Sequence, residues 1–131
     1  MGRSEYSDSL RGVYVLLVDD HVTRRQILHD ALEYCGALVR VGTGGFAGAQ
    51  DVLREVTPSA LVLAVHPPGD EAWALLRSVR SMRLEHGAKM PVIAVGPEAL
   101  AAAGRLNGVD AYVMEPVDVW AVCQIVADLT N

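Results

Sequence analysis

An α/β fold, a parallel sheet covered by helices on both faces, is what this sequence predicts, and three observations carry it. Five short apolar runs recur at residues 13–18, 37–41, 60–65, 91–95 and 109–114, each a strand long and bounded by Gly, Pro or polar residues. Segments of helical period separate them. The composition is 51% hydrophobic but only 5% aromatic, so the core material is mostly aliphatic, as suits strands buried on both faces. Such alternation gives five βα units in one sheet, (βα)5. The expected strand order is 2-1-3-4-5, the doubly wound arrangement of flavodoxin-like sheets, with strands one, three and four the most buried.

Each element has its own reason. The first strand, VYVLLV, places six core-compatible residues ahead of Asp19 and Asp20. Ile27, Leu28, Ala31, Leu32 and Cys35 then make one helical face, and Gly36 suits the position just past a helix end. GTGG after strand two reads as a flexible loop, because it lacks the lysine and frame of a phosphate-binding loop. Ala49, Val52, Leu53 and Val56 form the second helical face, stopped before Pro58. Ala72, Leu75, Leu76, Val79 and Met82 form the third, closing near Gly87. PEALAAAGRLNG is a short, Ala-rich fourth helix with Pro97 at its start, and Val119, Val122, Val126 and Leu129 line the fifth. Trp73 and Trp120, near helix starts, read as surface-packing residues.

With 131 residues, one domain with one core is expected: residues 12–131 form it, and 1–11 are a polar N-terminal extension. No run approaches the ~18 apolar residues of a membrane helix. The N-terminus lacks a secretory apolar segment, and Tyr6 stands where a myristoylation signal wants Ser or Thr. A net charge of -5 without a basic run argues against direct nucleic-acid binding. Cys35 and Cys123 read as buried free thiols, as in a cytoplasmic protein. No nucleophile–base arrangement or G-x-G-x-x-G stands at the strand ends, so no enzyme activity is expected.

In open parallel sheets the functional crevice lies outside the carboxyl ends of the strands. There the sequence places Asp19-Asp20, then AVHPPG from Ala64, then Val95-Gly96, then Met114-Glu115-Pro116. Two adjacent carboxylates at the end of a buried strand repel each other and resist desolvation. Capping the first helix is one reason to keep them. His21 and His66 read as loop residues. Taken together, the segments resemble the receiver domain of bacterial two-component response regulators. VLLVDDH with Arg24-Arg25 is similar to that family's first strand and acid pair, TPSALVLA to its third strand, and PPG…WALLRSVR to the loop and helix that follow. MPVIAV resembles the fourth strand and GVDAYVMEPVD the fifth. The resemblance runs over nearly the whole chain.

It implies that Asp19 and Asp20 hold a divalent cation, usually Mg²⁺, beside an aspartate phosphorylated by a partner histidine kinase. The chain departs from that pattern where the chemistry happens. The acceptor position falls on Ala64, which excludes phosphorylation there. The phosphoryl-holding hydroxyl is replaced by Gly96 and the phosphoryl-pairing lysine by Glu115. Asp19, Asp20 and the aromatic Tyr112 remain. No cofactor is expected beyond weak or vestigial Mg²⁺ binding at Asp19 and Asp20. Asp19, Asp20 and Glu115 then share a pocket without the family's lysine. At ~5 Å and an effective dielectric near 20, each like-charge pair costs about 3 kcal/mol. Either one carboxylate is protonated, or an arginine such as Arg24 folds in, or a cation binds. The resemblance also implies a cis Glu115-Pro116 bond.

The functional expectation is an atypical, phosphorylation-independent receiver that serves as a regulatory interaction module in two-component or phosphorelay signalling. Its fourth helix, fifth strand and fifth helix, with Tyr112 and Pro116, can dimerise or dock an output domain, a kinase or a second receiver. The alternative is a small-molecule sensor that uses the acidic pocket enlarged by Ala64 and Gly96. A substitute acceptor such as Asp20 ranks last, because it destroys a metal ligand. Ala64→Asp alone is not expected to restore phosphoryl acceptance, whereas its combination with Glu115→Lys and Gly96→Thr is.

Overall fold

The computed structural model describes residues 8–42, 45–85 and 90–131, the side chains of 82–85 excepted. Strands β1 (Tyr14–Val18), β2 (Leu38–Val41), β3 (Ala60–Ala64), β4 (Val92–Gly96) and β5 (Ala111–Met114) alternate with helices. The helices are α1 (Val22–Tyr34), α2 (Gly45–Glu55), α3 (Asp70–Glu85), α4 (Ala101–Leu106) and α5 (Val119–Thr130), with a 3₁₀ turn at Glu98–Leu100 leading into α4. Every strand pairing is parallel, and the order is β2-β1-β3-β4-β5, as the sequence predicts. The peptide bonds Pro67-Pro68 and Glu115-Pro116 are cis, the second as expected.

The period of two along each strand splits the core into two layers. Val15, Leu17, Val62, Ala64, Ile93 and Val95 pack with Leu28 and Leu32 of α1 and Val122 and Val126 of α5. Leu16, Val18, Leu61, Leu63, Val92 and Ala94 pack with Leu53 of α2 and Leu75, Leu76 and Val79 of α3. β3 and β4 are buried at every residue and β1 at all but Tyr14, whereas the edge strands β2 and β5 contain no buried residue. Fully burying a Val or Leu stabilises by about 1.5–3 kcal/mol, so these three central strands anchor the fold.

Several local expectations need correcting. Ile27 and Leu129 are 50% and 39% exposed. The buried stripe is Leu28, Ala31, Leu32 and Cys35, and Ile27 lies about 40° of helix rotation beyond its edge at Ala31. Val119 is only half-buried. Trp73 is core rather than surface, at 6% exposure, whereas Trp120 is exposed and meets Tyr34 edge-on with ring centroids 5.8 Å apart. β5 starts later than predicted, because Val109 donates its N–H to Gly104 O and thereby closes the turn after α4. Leu10, within the predicted extension, is fully buried and its N–H donates to Cys35 O at 2.8 Å. The expected stop near Gly87, the Met82 side chain and residues 43–44 of the GTGG loop lie outside the described residues.

Two further features brace the body. At the amino ends of β4 and β5, Arg80 of α3 donates to the carbonyls of Met90 and Gly108 and to Asp110 Oδ2. Asp110 Oδ2 also accepts the Val92 N–H at 2.7 Å. Cys35 and Cys123 are free and buried, and burial, then the neighbouring Cys35, pushes the Cys123 thiol well up.

Candidate functional site at the carboxyl ends of the strands

Asp19 directly follows β1 and is 2% exposed; among the described residues it is the buried charged side chain. Its Oδ1 accepts the His21 N–H at 2.9 Å and Arg24 Nη2 at 3.0 Å, and its Oδ2 accepts Arg24 Nε at 2.6 Å. This is the two-pronged guanidinium–carboxylate match, stronger than a neutral hydrogen bond and geometrically selective. The third guanidinium nitrogen, Nη1, donates to Glu115 Oε2 at 2.8 Å. The hydrogen bond to Asp19 is the largest of the influences that hold the Arg24 pKa above its ordinary value.

Local sequence explains how Arg24 gets there. His21 is the N-cap of α1, its Nδ1 accepting the Arg24 N–H at 3.2 Å. Capping is therefore done by His21, while Asp19 satisfies the His21 N–H one step earlier. Arg24 sits in the first turn, from which its side chain reaches back over Asp19. Of the three ways to relieve the acidic pocket, the structure shows the folded-in arginine. Asp20, by contrast, is exposed, as are Glu115 and Pro116.

Ala64 ends β3 and presents only a methyl group, paired in register with Val95. Gly96 ends β4, and a methyl group there would lie 2.5 Å from Val65 Cγ2, 2.8 Å from Tyr112 Oη and 2.9 Å from Val65 O. The space that loss of a side chain at position 96 was expected to open is thus filled by Val65 and Tyr112. This removes part of the basis for the ligand-sensor reading. Tyr112 of β5 donates its hydroxyl to Pro97 O at 2.6 Å. Its ring lies against Gly104 of α4, where a methyl group would come within 2.9 Å of Cδ2. Burial, then the charge of Glu115, raises the Tyr112 pKa. A groove of about 410 Å³ lies beside the β3–α3 loop, lined by Phe46, His66, Pro67, Pro68 and Asp70 among others, and neither Asp19, Ala64, Gly96 nor Glu115 lines it.

The site therefore joins Asp19 to Glu115 through Arg24, and Gly96 to Tyr112, but leaves Asp20 outside both. Val65, Pro97 and Gly104 contribute without having been anticipated. The signal for Gly104 was available: a glycine inside the Ala-rich helix AAAGRL weakens it and marks a close approach.

The residues present do not fit the divalent ion that the resemblance implies. Mg²⁺ takes near-octahedral oxygen ligands and few substitutes. Here the oxygens of Asp19 and Oε2 of Glu115 are engaged by a guanidinium, and Ala64 offers no oxygen donor from its side chain. Among the described residues, ligating atoms of His29, Asp30 and Glu33 on α1 come within 4.8 Å of one another, and those of Asp19, Asp20 and Glu115 do not.

The 2-1-3-4-5 parallel sheet, with Asp19, Tyr112 and Glu115 at its carboxyl end, is the fold that receiver domains of response regulators share. No protein-family model matches the chain. It is 29% identical over 136 aligned positions to the sensor histidine kinase GacS of Pseudomonas protegens, an alignment covering 98% of this chain and 15% of that protein. The chain thus spans a small part of that relative's length. It superposes on the receiver domain of the Francisella response regulator 1452 with a TM-score of 0.77, 20% identity and coverage of 91% and 97% of the two chains. It also superposes on the receiver domain of Saccharomyces cerevisiae Ssk1, solved with the histidine phosphotransfer protein Ypd1, with a TM-score of 0.79, 16% identity and coverage of 92% and 90%. At these identities the structural likeness establishes the fold. No helix among the described residues is long and apolar enough to cross a membrane.

Proposed function

We propose that this domain is a receiver that works without phosphorylation, as a regulatory protein-interaction module in two-component or phosphorelay signalling. The observation that most supports this reading is the seat of Tyr112. Its hydroxyl is already bonded to Pro97 O and packed where a residue-96 side chain would stand. Ala64 provides no acceptor, Gly96 no hydroxyl and Glu115 no cation for a phosphoryl group. The face around Tyr112 is therefore held in one arrangement by packing.

Leu106 of α4, Met114 of β5 and Trp120 of α5 are 88%, 43% and 44% exposed. These apolar side chains suit docking of an output domain, a kinase or phosphotransfer protein, or a second copy of the chain. The Ssk1 receiver, which shares the fold, was solved bound to a phosphotransfer protein. The reading places the domain in the cytoplasm, without a cofactor and without catalysis of its own. Acetyl phosphate with Mg²⁺ should leave the intact mass unchanged, and beryllofluoride should leave the oligomeric state unchanged by light scattering. A single-phosphoryl adduct, or a shift in oligomeric state, would show that a phosphate switch survives.

A further inference from the structure

We infer that Arg24 is a captive cation: its guanidinium takes over the charge-balancing role of a divalent ion, so the domain neither needs nor responds to one. Two acids that the topology brings to one end of the sheet, Asp19 after β1 and Glu115 after β5, are joined by a single side chain. Glu115 lies 91 residues from Arg24 in sequence. An ion entering here would have to displace two charge-assisted bonds on Asp19 and a third on Glu115. It would recover few oxygen ligands from the protein, since the Ala64 side chain supplies none. The expelled guanidinium would also lose its partners.

The same geometry has a converse. Without the Arg24 charge, Asp19 keeps a buried carboxylate to which, among the described residues, no other side chain is hydrogen-bonded, and water can supply the ligands that Ala64 does not. Neutralising Arg24 should uncover a latent divalent site. The inference goes beyond the phosphorylation-independent reading, because a chain could bind Mg²⁺ and still accept no phosphoryl group.

The test is a thermal melt of the wild-type chain and of Arg24→Gln against MgCl2 and MnCl2 at constant ionic strength. The wild type should show no saturable rise in melting temperature. Arg24→Gln should show one that grows with the logarithm of ion concentration, the signature of a ligand binding the folded state alone. Mn²⁺ broadening of amide NMR signals around Asp19 provides a second measurement on the wild type, which does not depend on the variant folding. Site-selective, saturating broadening in the wild type, or a folded Arg24→Gln that ignores both ions, overturns the inference. Acetyl phosphate added to the same samples, read by intact mass, tests the earlier reading separately.

Discussion

Gly96→Thr is expected to destabilise the domain by about 3 kcal/mol, at the upper end of ordinary overpacking, although it restores the residue type that the receiver pattern calls for. The offending atom is already the Cβ, which would meet Val65 Cγ2 at 2.5 Å, Tyr112 Oη at 2.8 Å and Val65 O at 2.9 Å. Two of these atoms belong to side chains that can rotate, but the third is backbone at the end of a buried strand. Moving Tyr112 also breaks its bond to Pro97 O. Gly96→Ala should therefore show most of the loss, and adding Val65→Ala should recover part of it. The measurement is the denaturant midpoint at unchanged slope. A Gly96→Thr variant within ~0.5 kcal/mol of wild type, the range of neutral surface changes, would show that this corner relaxes freely. In the combined replacement of Ala64, Glu115 and Gly96, the third member is therefore expected to cost stability unless Val65 and Tyr112 shift.

Arg24→Ala should lose roughly 3–5 kcal/mol, the range for removing one partner of a buried ion pair. The Asp19 side chain is wholly out of solvent and would keep only the His21 N–H. Glu115 is in a different situation. Its side chain is 43% exposed, so Glu115→Gln should change stability by no more than about 1 kcal/mol, as for other solvent-screened pairs. Asp19→Asn combined with Arg24→Ala should be less destabilised than the sum of the two single changes, because the charge left stranded by one is removed by the other. Millimolar Mg²⁺ should restore part of the loss in Arg24→Ala and nothing in wild type. Equal losses for Arg24→Ala and Glu115→Gln would mean that Asp19 is solvated after all.

Much of this was legible in the sequence, for identifiable reasons. Five aliphatic runs separated by helical periods leave few alternatives to a parallel, doubly wound sheet, and the strand order followed. Helix faces were read less well, because Ile27 and Leu129 are apolar but lie just off the stripe that meets the sheet. Trp73 was misplaced because nothing in its neighbourhood reveals that Gly69 and Gly104 leave room for an indole. At the site, the convergence of strand ends in this topology pointed to where Asp19, Ala64, Gly96 and Glu115 lie, and the resemblance to receiver domains supplied the roles expected of those positions. Which relief the acids would find could not be read from either. It depends on where the first turn of α1 aims Arg24, and hence on His21 as the N-cap. Gly96 was read as added space because a glycine shows only what it lacks. What fills that space comes from the neighbouring strand.

The paired thiols have a practical consequence. Alkylation requires a thiolate, and both Cys35 and Cys123 are shielded, one at the end of α1 and the other within α5. A reagent can reach them only when that helical layer parts from the sheet. Labelling under native conditions therefore times the opening of one chosen layer, while the layer formed by α2 and α3 stays silent. A binding partner that grips α5 would slow this clock without any engineered probe, and one that sits beside α3 would leave it running.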